Sequence, residues 1–146
     1  MRRALRALHV GIVVVIAAGV AVQATLAGQF ISGLSDALPA HGAVGGILEL
    51  AGLLLLVIAL AHRVAGERAR VALAGSIALV LAIQAQAALG WAPGALPTAL
   101  HVPLGVAIFA GAIALSGAMV RLAAARRREA AGARPVVHAG PAGDAA

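Results

Sequence analysis

His41 and His101 are the residues whose type and spacing best suit chemistry. Compare "VQATLAGQFISGLSDALPAHGAVGGI", residues 22–47, with "IQAQAALGWAPGALPTALHVPLGVAI", residues 83–108. In each stretch a glutamine (Gln23, Gln84) is followed by small residues, an aromatic (Phe30, Trp91), a Gly- and Pro-containing turn, a histidine, and a glycine four positions on (Gly45, Gly105). The Gln-to-His gap is 18 in the first copy and 17 in the second. A neutral imidazole presents one lone pair to a metal, and two imidazoles facing each other in an apolar bundle suit axial ligation of haem iron. Gly45 and Gly105, with Gly42 and Gly46, remove bulk where a flat macrocycle needs room, although small residues also serve close helix packing. Gln23 and Gln84 are placed to hydrogen-bond an imidazole N–H or a haem propionate; an amide bond between helices is the plainer use of such residues.

The remaining ionisable residues carry weaker signals. Glu49 lies eight positions after His41, about 12 Å deeper along a helix, and desolvation favours its neutral form. It has no counterpart in the second copy, where Phe109 stands. Its plain reading is a neutral acid bonded to a carbonyl, Ser76 or Ser116; its sharper one is a proton relay. His9 and His62, near the far ends of two apolar runs, form a second candidate pair without support from the repeat. His138 falls in a polar tail and reads as solvated. There is no cysteine, which removes disulfides and thiolate metal sites. There is also no phosphate-binding loop, no H-E-x-x-H and no G-x-S-x-G.

These residues sit in a chain that is 62% hydrophobic and 11% charged over 146 residues. Apolar runs of about 20 residues have the length of a bilayer-crossing helix. Four are read here, at about 8–29, 41–62, 70–90 and 99–121. The class is therefore all-α, an integral membrane four-helix bundle occupying residues 1–122 and surrounded by lipid. The tail 123–146, rich in Ala, Gly, Pro and Arg, is expected to be disordered. All eleven basic residues are arginines. They precede the first run (Arg2, Arg3, Arg6), join the second to the third (Arg63, Arg68, Arg70), or follow the fourth (Arg121, Arg126, Arg127, Arg128, Arg134), and none lies in 30–40 or 91–98. The positive-inside rule then places both termini in the cytoplasm and the chain in the inner or plasma membrane. A net charge of +6 distributed in this way marks topology and contact with anionic lipid rather than nucleic acid. The first run, with its basic start and small-residue end at Ala24-Thr25-Leu26-Ala27, also has features of a secretory signal peptide. The similarity of its end to the second copy favours its place in the bundle.

The repeated unit is a helix hairpin, with glutamine late in its first helix and histidine opening its second. Two parallel copies imply a pseudo-two-fold axis along the membrane normal. That axis puts His41 and His101 at one depth, facing each other.

The glutamine, small residues and outer loop leading to Leu100-His101-x-x-x-Gly105 resemble a single four-helix half of haem A synthase. "HGAVG" and "ALHVPLGVAIF" also resemble the small four-helix membrane proteins common in high-GC actinobacteria. The resemblance spans about residues 5–122 through short motifs. It implies an outer haem site, and His41 and His101 match the histidine pair of such a half. The synthase has two bundles where this chain has one. Its acidic residue upstream of a His-Arg pair is not reproduced, Asp36 being the only acid before His41. The oxygenase activity is not carried over.

The expectation is a b-type haem protein with His41 and His101 as axial ligands, engaged in electron transfer or haem handling with a redox partner or a second copy. Two other readings stand beside it: a cofactor-free accessory or interaction subunit, and a small transporter using Glu49. None of them requires an enzyme.

Overall fold

The computed structural model describes residues 2–64 and 70–132. Helix α1 runs over Arg2–Ile31, α2 over Ala37–Val64, α3 over Arg70–Trp91 and α4 over Ala95–Gly132. All four are long and apolar enough to cross a membrane. They form a ring in which each helix packs on its two neighbours, α1 on α2, α2 on α3, α3 on α4 and α4 on α1, while the diagonals α1/α3 and α2/α4 make no backbone approach. The contacts run antiparallel: Gly19 packs on Leu48 and Gly45 on Gln23 between α1 and α2, and Gly75 packs on Leu115 and Gly105 on Gln86 between α3 and α4. The two short turns share one end of the bundle, called here the hairpin end. The start of α1, the end of α2, the start of α3 and the end of α4 share the other, the terminal end.

The turns explain where the helices stop. Gly33 has φ +95°, and Leu34 N–H donates to Gln29 O at 3.0 Å. This six-to-one bond with glycine in the left-handed region is the glycine C-cap that closes α1. Gly94, at φ +112°, serves the turn between α3 and α4. Pro39 and Pro97 are each third in their helices, within the first turn, where no N–H partner is lost. Pro103 is different. Because α4 begins at Ala95, Pro103 lies in the helix interior and removes the bond to Ala99 O, two residues beyond His101.

The expected spans are found and extended. The helices of the second and fourth spans start four residues earlier than expected, so both histidines stand inside their helices rather than at the mouths. The expected tail from 123 is also corrected. Residues 123–132 continue α4, because "AAARRREAAG" is almost entirely alanine and arginine with one glutamate, all strong helix formers. Positions 133–146, with His138 and Arg134, lie outside the described residues, as does Arg68.

Burial is inverted relative to a water-soluble bundle. The interior is a lattice of aliphatic side chains, including Val13, Ile16, Leu48, Leu55, Leu79, Ile83, Ile108 and Leu115. His9, His62 and Ser76 are buried among them. Meanwhile Val15, Ile47, Leu50, Val57, Leu81, Val106 and Ile113 face outward. An apolar exterior around a core that holds polar groups is the pattern of a bundle solvated by lipid.

Candidate functional site

His41 on α2 and His101 on α4 meet across the bundle at its hairpin end. Their ring centroids are 6.1 Å apart, with planes at 46°. Since α2 and α4 are diagonal helices, the two rings fill the middle of the bundle. Each ring is anchored in the same way by the helix beside it. His41 Nδ1–H donates to Gln23 O of α1 at 3.2 Å, and His101 Nδ1–H donates to Gln86 O of α3 at 3.1 Å. A carbonyl can only accept, so the proton of each ring is fixed on Nδ1 and the lone pair of each is left on Nε2. This is the arrangement that commonly orients a metal-binding imidazole.

The glutamine beside the second histidine is not the one read from the sequence. The second glutamine of the repeat is Gln86, not Gln84. Gln86 carries the carbonyl that holds His101, and its amide lies over Gly105, whose added Cβ would stand 3.3 Å from Gln86 Nε2. Gln23 does the same over Gly45, at 3.1 Å. Two residues further along a helix is a rotation of about 200°, so Gln84 is turned to another side of α3. The matched triplets are therefore Gln23, His41, Gly45 and Gln86, His101, Gly105. At Gly45 and Gly105 the glutamine amides lie close to the space a side chain would take. Gly90 has the same role for His101, since a Cβ there would approach Cε1 to 3.1 Å. Gly42 and Gly46 meet nothing within 4 Å. The side-chain carbonyls of Gln23 and Gln86 are buried and have no hydrogen-bond partner among the described residues. Both orphaned acceptors belong to the layer of the two histidines, and buried acceptors of this kind point to a ligand or water that satisfies them.

The donor set suits a metal held between two imidazoles. Two metal–nitrogen bonds of about 2.0 Å on a common axis place the ring centroids roughly 6 Å apart, which is the separation of His41 and His101. Two neutral imidazole nitrogens left without a proton are a donor set that would hold a haem iron.

Glu49 takes no part in this site. It is half-buried, and no hydrogen bond ties it to Ser76 or Ser116. Ser76 is engaged by His9 and by Ala72, and Ser116 Oγ is buried without a partner among the described residues.

His9 and His62, the pair without repeat support, are brought together at the terminal end. Their rings meet edge to face at 5.2 Å, and both are buried. The sequence carried one usable signal for this. His9 falls in register with Val13 and Ile16, and His62 with Leu55 and Ala59, at helical spacing on faces whose other members are core residues.

Comparison with known proteins adds no relative: no family model, no curated protein and no solved structure matches this chain. The fold defines a multi-pass helical membrane protein, and its function rests on the geometry above.

Proposed function

We propose that this chain is a small integral-membrane haem protein, with His41 and His101 as the axial ligands of a b-type haem at the hairpin end. The observation that carries the reading is the pair of rings 6.1 Å apart, each with its proton committed to a backbone carbonyl and its other nitrogen left to bind. When bound, haem supplies an iron that exchanges one electron between ferrous and ferric states. The residues of the chain do the rest. Gln23 and Gln86 fix the ring tautomers through their carbonyls, and Gly90 leaves room for the His101 ring. The work of such a site is electron transfer or haem handling, with a redox partner or a second copy docking at the hairpin end.

The finer topology belongs to the same reading. The bonds of the two triplets support a pseudo-two-fold axis along the bundle. The nine arginines among the described residues all fall at the terminal end, which supports a cytoplasmic terminal end and an outward-facing hairpin end in the inner or plasma membrane. The resemblance to half of haem A synthase agrees with a haem on the outer side.

The test is the absorption spectrum of the protein purified from membranes of cells supplied with ample haem, oxidised and reduced. A Soret band with a low-spin reduced spectrum is expected, and His41→Ala and His101→Ala should each abolish it or convert it to high spin. Absence of a Soret band overturns the reading in favour of a cofactor-free subunit. A spectrum unchanged in both variants overturns the ligand assignment.

A further inference from the structure

At the terminal end every helix brings a polar or sulfur-bearing residue to the interior: His9 from α1, His62 from α2, Ser76 from α3 and Met119 from α4, beside the half-buried Ser116 of α4, whose Oγ is enclosed. The first four are buried. The hydrogen bonds fix the protonation of His9. The single hydroxyl hydrogen of Ser76 is committed to Ala72 O at 2.7 Å, the back-bond usual for serine within a helix. His9 Nε2 therefore carries the ring proton and donates it to Ser76 Oγ at 3.0 Å. The lone pair of His9 is left on Nδ1, which is buried and has no hydrogen-bond partner among the described residues. An imidazole lone pair enclosed by aliphatic side chains with nothing to accept from is costly. Its presence in a fully buried residue beside a second imidazole points to something that binds there.

The geometry separates this pair from the one at the hairpin end. A centroid separation of 5.2 Å with the rings at 88° leaves no room for a macrocycle between them. It matches two imidazoles bent about one small ion, since metal–nitrogen bonds of about 2.0 Å at a trigonal or tetrahedral angle bring the centroids to roughly 5–5.5 Å. A third donor of the right kind is close in depth. The packing of Gly52 on Ile83 and of Gly75 on Leu115 sets the register of α2, α3 and α4. In that register Met119, on the core face of α4, lies about 3 Å along the axis from His62. Charge selects the ion. Among the described residues no group of three His, Cys, Asp or Glu exists that would hold a metal, and Glu49 is about 20 Å along α2 from His62. A divalent cation would be buried with no counter-charge, whereas a monovalent one is far less costly to desolvate. Two imidazoles and a thioether are also the soft, neutral donors that Cu(I) prefers.

We propose that His9, His62 and Met119 form a binding site for one Cu(I) ion at the terminal end of the bundle, independent of the His41–His101 site. The experiment titrates the purified full-length protein with Cu(I), under a reductant and against a chromophoric Cu(I) chelator, and takes the copper X-ray absorption spectrum of the loaded wild type. One equivalent should be withdrawn from the chelator. His9→Ala and His62→Ala should each weaken binding at least tenfold and Met119→Leu should weaken it measurably, while His41→Ala and His101→Ala leave it unchanged. The absorption spectrum should show two imidazoles and one sulfur. Failure of the wild type to withdraw copper overturns the site, and so does binding that survives both His9→Ala and His62→Ala. A spectrum of two collinear imidazoles without sulfur overturns it as well and transfers the ion to His41 and His101. The spectrum needs only the wild type, so it decides the matter even if a variant does not fold. None of these results depends on whether haem binds.

Discussion

His9 Nε2 donates to Ser76 Oγ at 3.0 Å, across the α1/α3 diagonal that the backbones leave open. At the opposite end of the bundle His41 and His101 meet across the other diagonal, α2/α4. Each diagonal is thus crossed by an imidazole, at opposite ends, while the stretch between is closed by Val13, Ile16, Leu48, Leu55 and Ile108. The bridges have different characters. The one at the terminal end is a hydrogen bond, and the one at the hairpin end is a contact of two rings, each with Nδ1 held by a backbone carbonyl.

The first bond is open to mutational test. Ser76→Ala leaves the His9 N–H without an acceptor in an apolar interior and should lower stability by about 1 kcal/mol. Replacing both partners, His9→Leu with Ser76→Ala, should cost less than the sum of the single changes, because no orphaned polar group remains. Reversible unfolding of the copper-free protein in mixed detergent measures both. Strict additivity would show that the bond contributes nothing.

The glycines give graded predictions. At Gly19 an added Cβ would stand 2.5 Å from Leu48 Cδ2, and at Gly75 2.7 Å from Leu115 Cδ1. Both contacts lie in the core, so alanine there forces leucines out of their rotamers and should destabilise by about 1–3 kcal/mol. At Gly111 nothing lies within 4 Å, and alanine should be neutral or slightly stabilising through helix propensity. Thermal unfolding of the three variants checks the order; a Gly111 variant as unstable as the Gly19 variant would contradict this packing.

Gly90→Ala tests the hairpin-end site separately from the fold. The new Cβ presses on His101 Cε1, 3.1 Å away, and tilts the ring while the Gln86 carbonyl still holds Nδ1. On the haem reading, the spectrum should lose low-spin character or haem affinity with little change in thermal stability. Equal loss of both would mean that Gly90 serves packing alone.

Gln86 and Gln84 separate what the sequence contains from what it conceals. The repeat announced a glutamine before each histidine, and aligning the earliest glutamine of "IQAQ" chose Gln84. Which of the two faces the bundle depends on the phase of α3, and a chain of alanines, leucines and valines has too little amphipathic contrast to set that phase. The span lengths, the arginine asymmetry and the His41–His101 pairing are all legible in residue order, because bilayer thickness and helical periodicity act on the sequence directly. The His9–His62 contact is not, since it joins two helices at an end where no repeated motif marks it. The extension of α4 to Gly132 was hidden for a different reason: alanine and arginine read as a tail by polarity and as a helix by propensity. If the structural triplets are right, Gln23→Leu and Gln86→Leu should shift the reduction potential of the haem-loaded protein in the same direction and by similar amounts. Gln84→Leu should leave it within error. Potentiometric titration of the three variants decides between the two alignments.

Orientation can be read with single cysteines, because the chain contains none of its own. Leu34 is exposed in the turn at the hairpin end, and Ala130 is exposed near the end of α4. Nine arginines at the terminal end among the described residues, against none in the hairpin-end turns, is the bias that sets topology through short loops. In intact cells or spheroplasts, a membrane-impermeant maleimide should label Leu34→Cys and spare Ala130→Cys until the membrane is opened. The same result fixes the side served by each proposed metal site. An outward hairpin end gives the His41–His101 site access to partners outside the membrane. His9 and His62, within two turns of the arginine-lined end, would then draw their ion from the cytoplasm, where reducing conditions keep copper monovalent. Labelling of Ala130→Cys from outside would reverse both assignments and would make the arginine distribution an exception to the rule it otherwise follows.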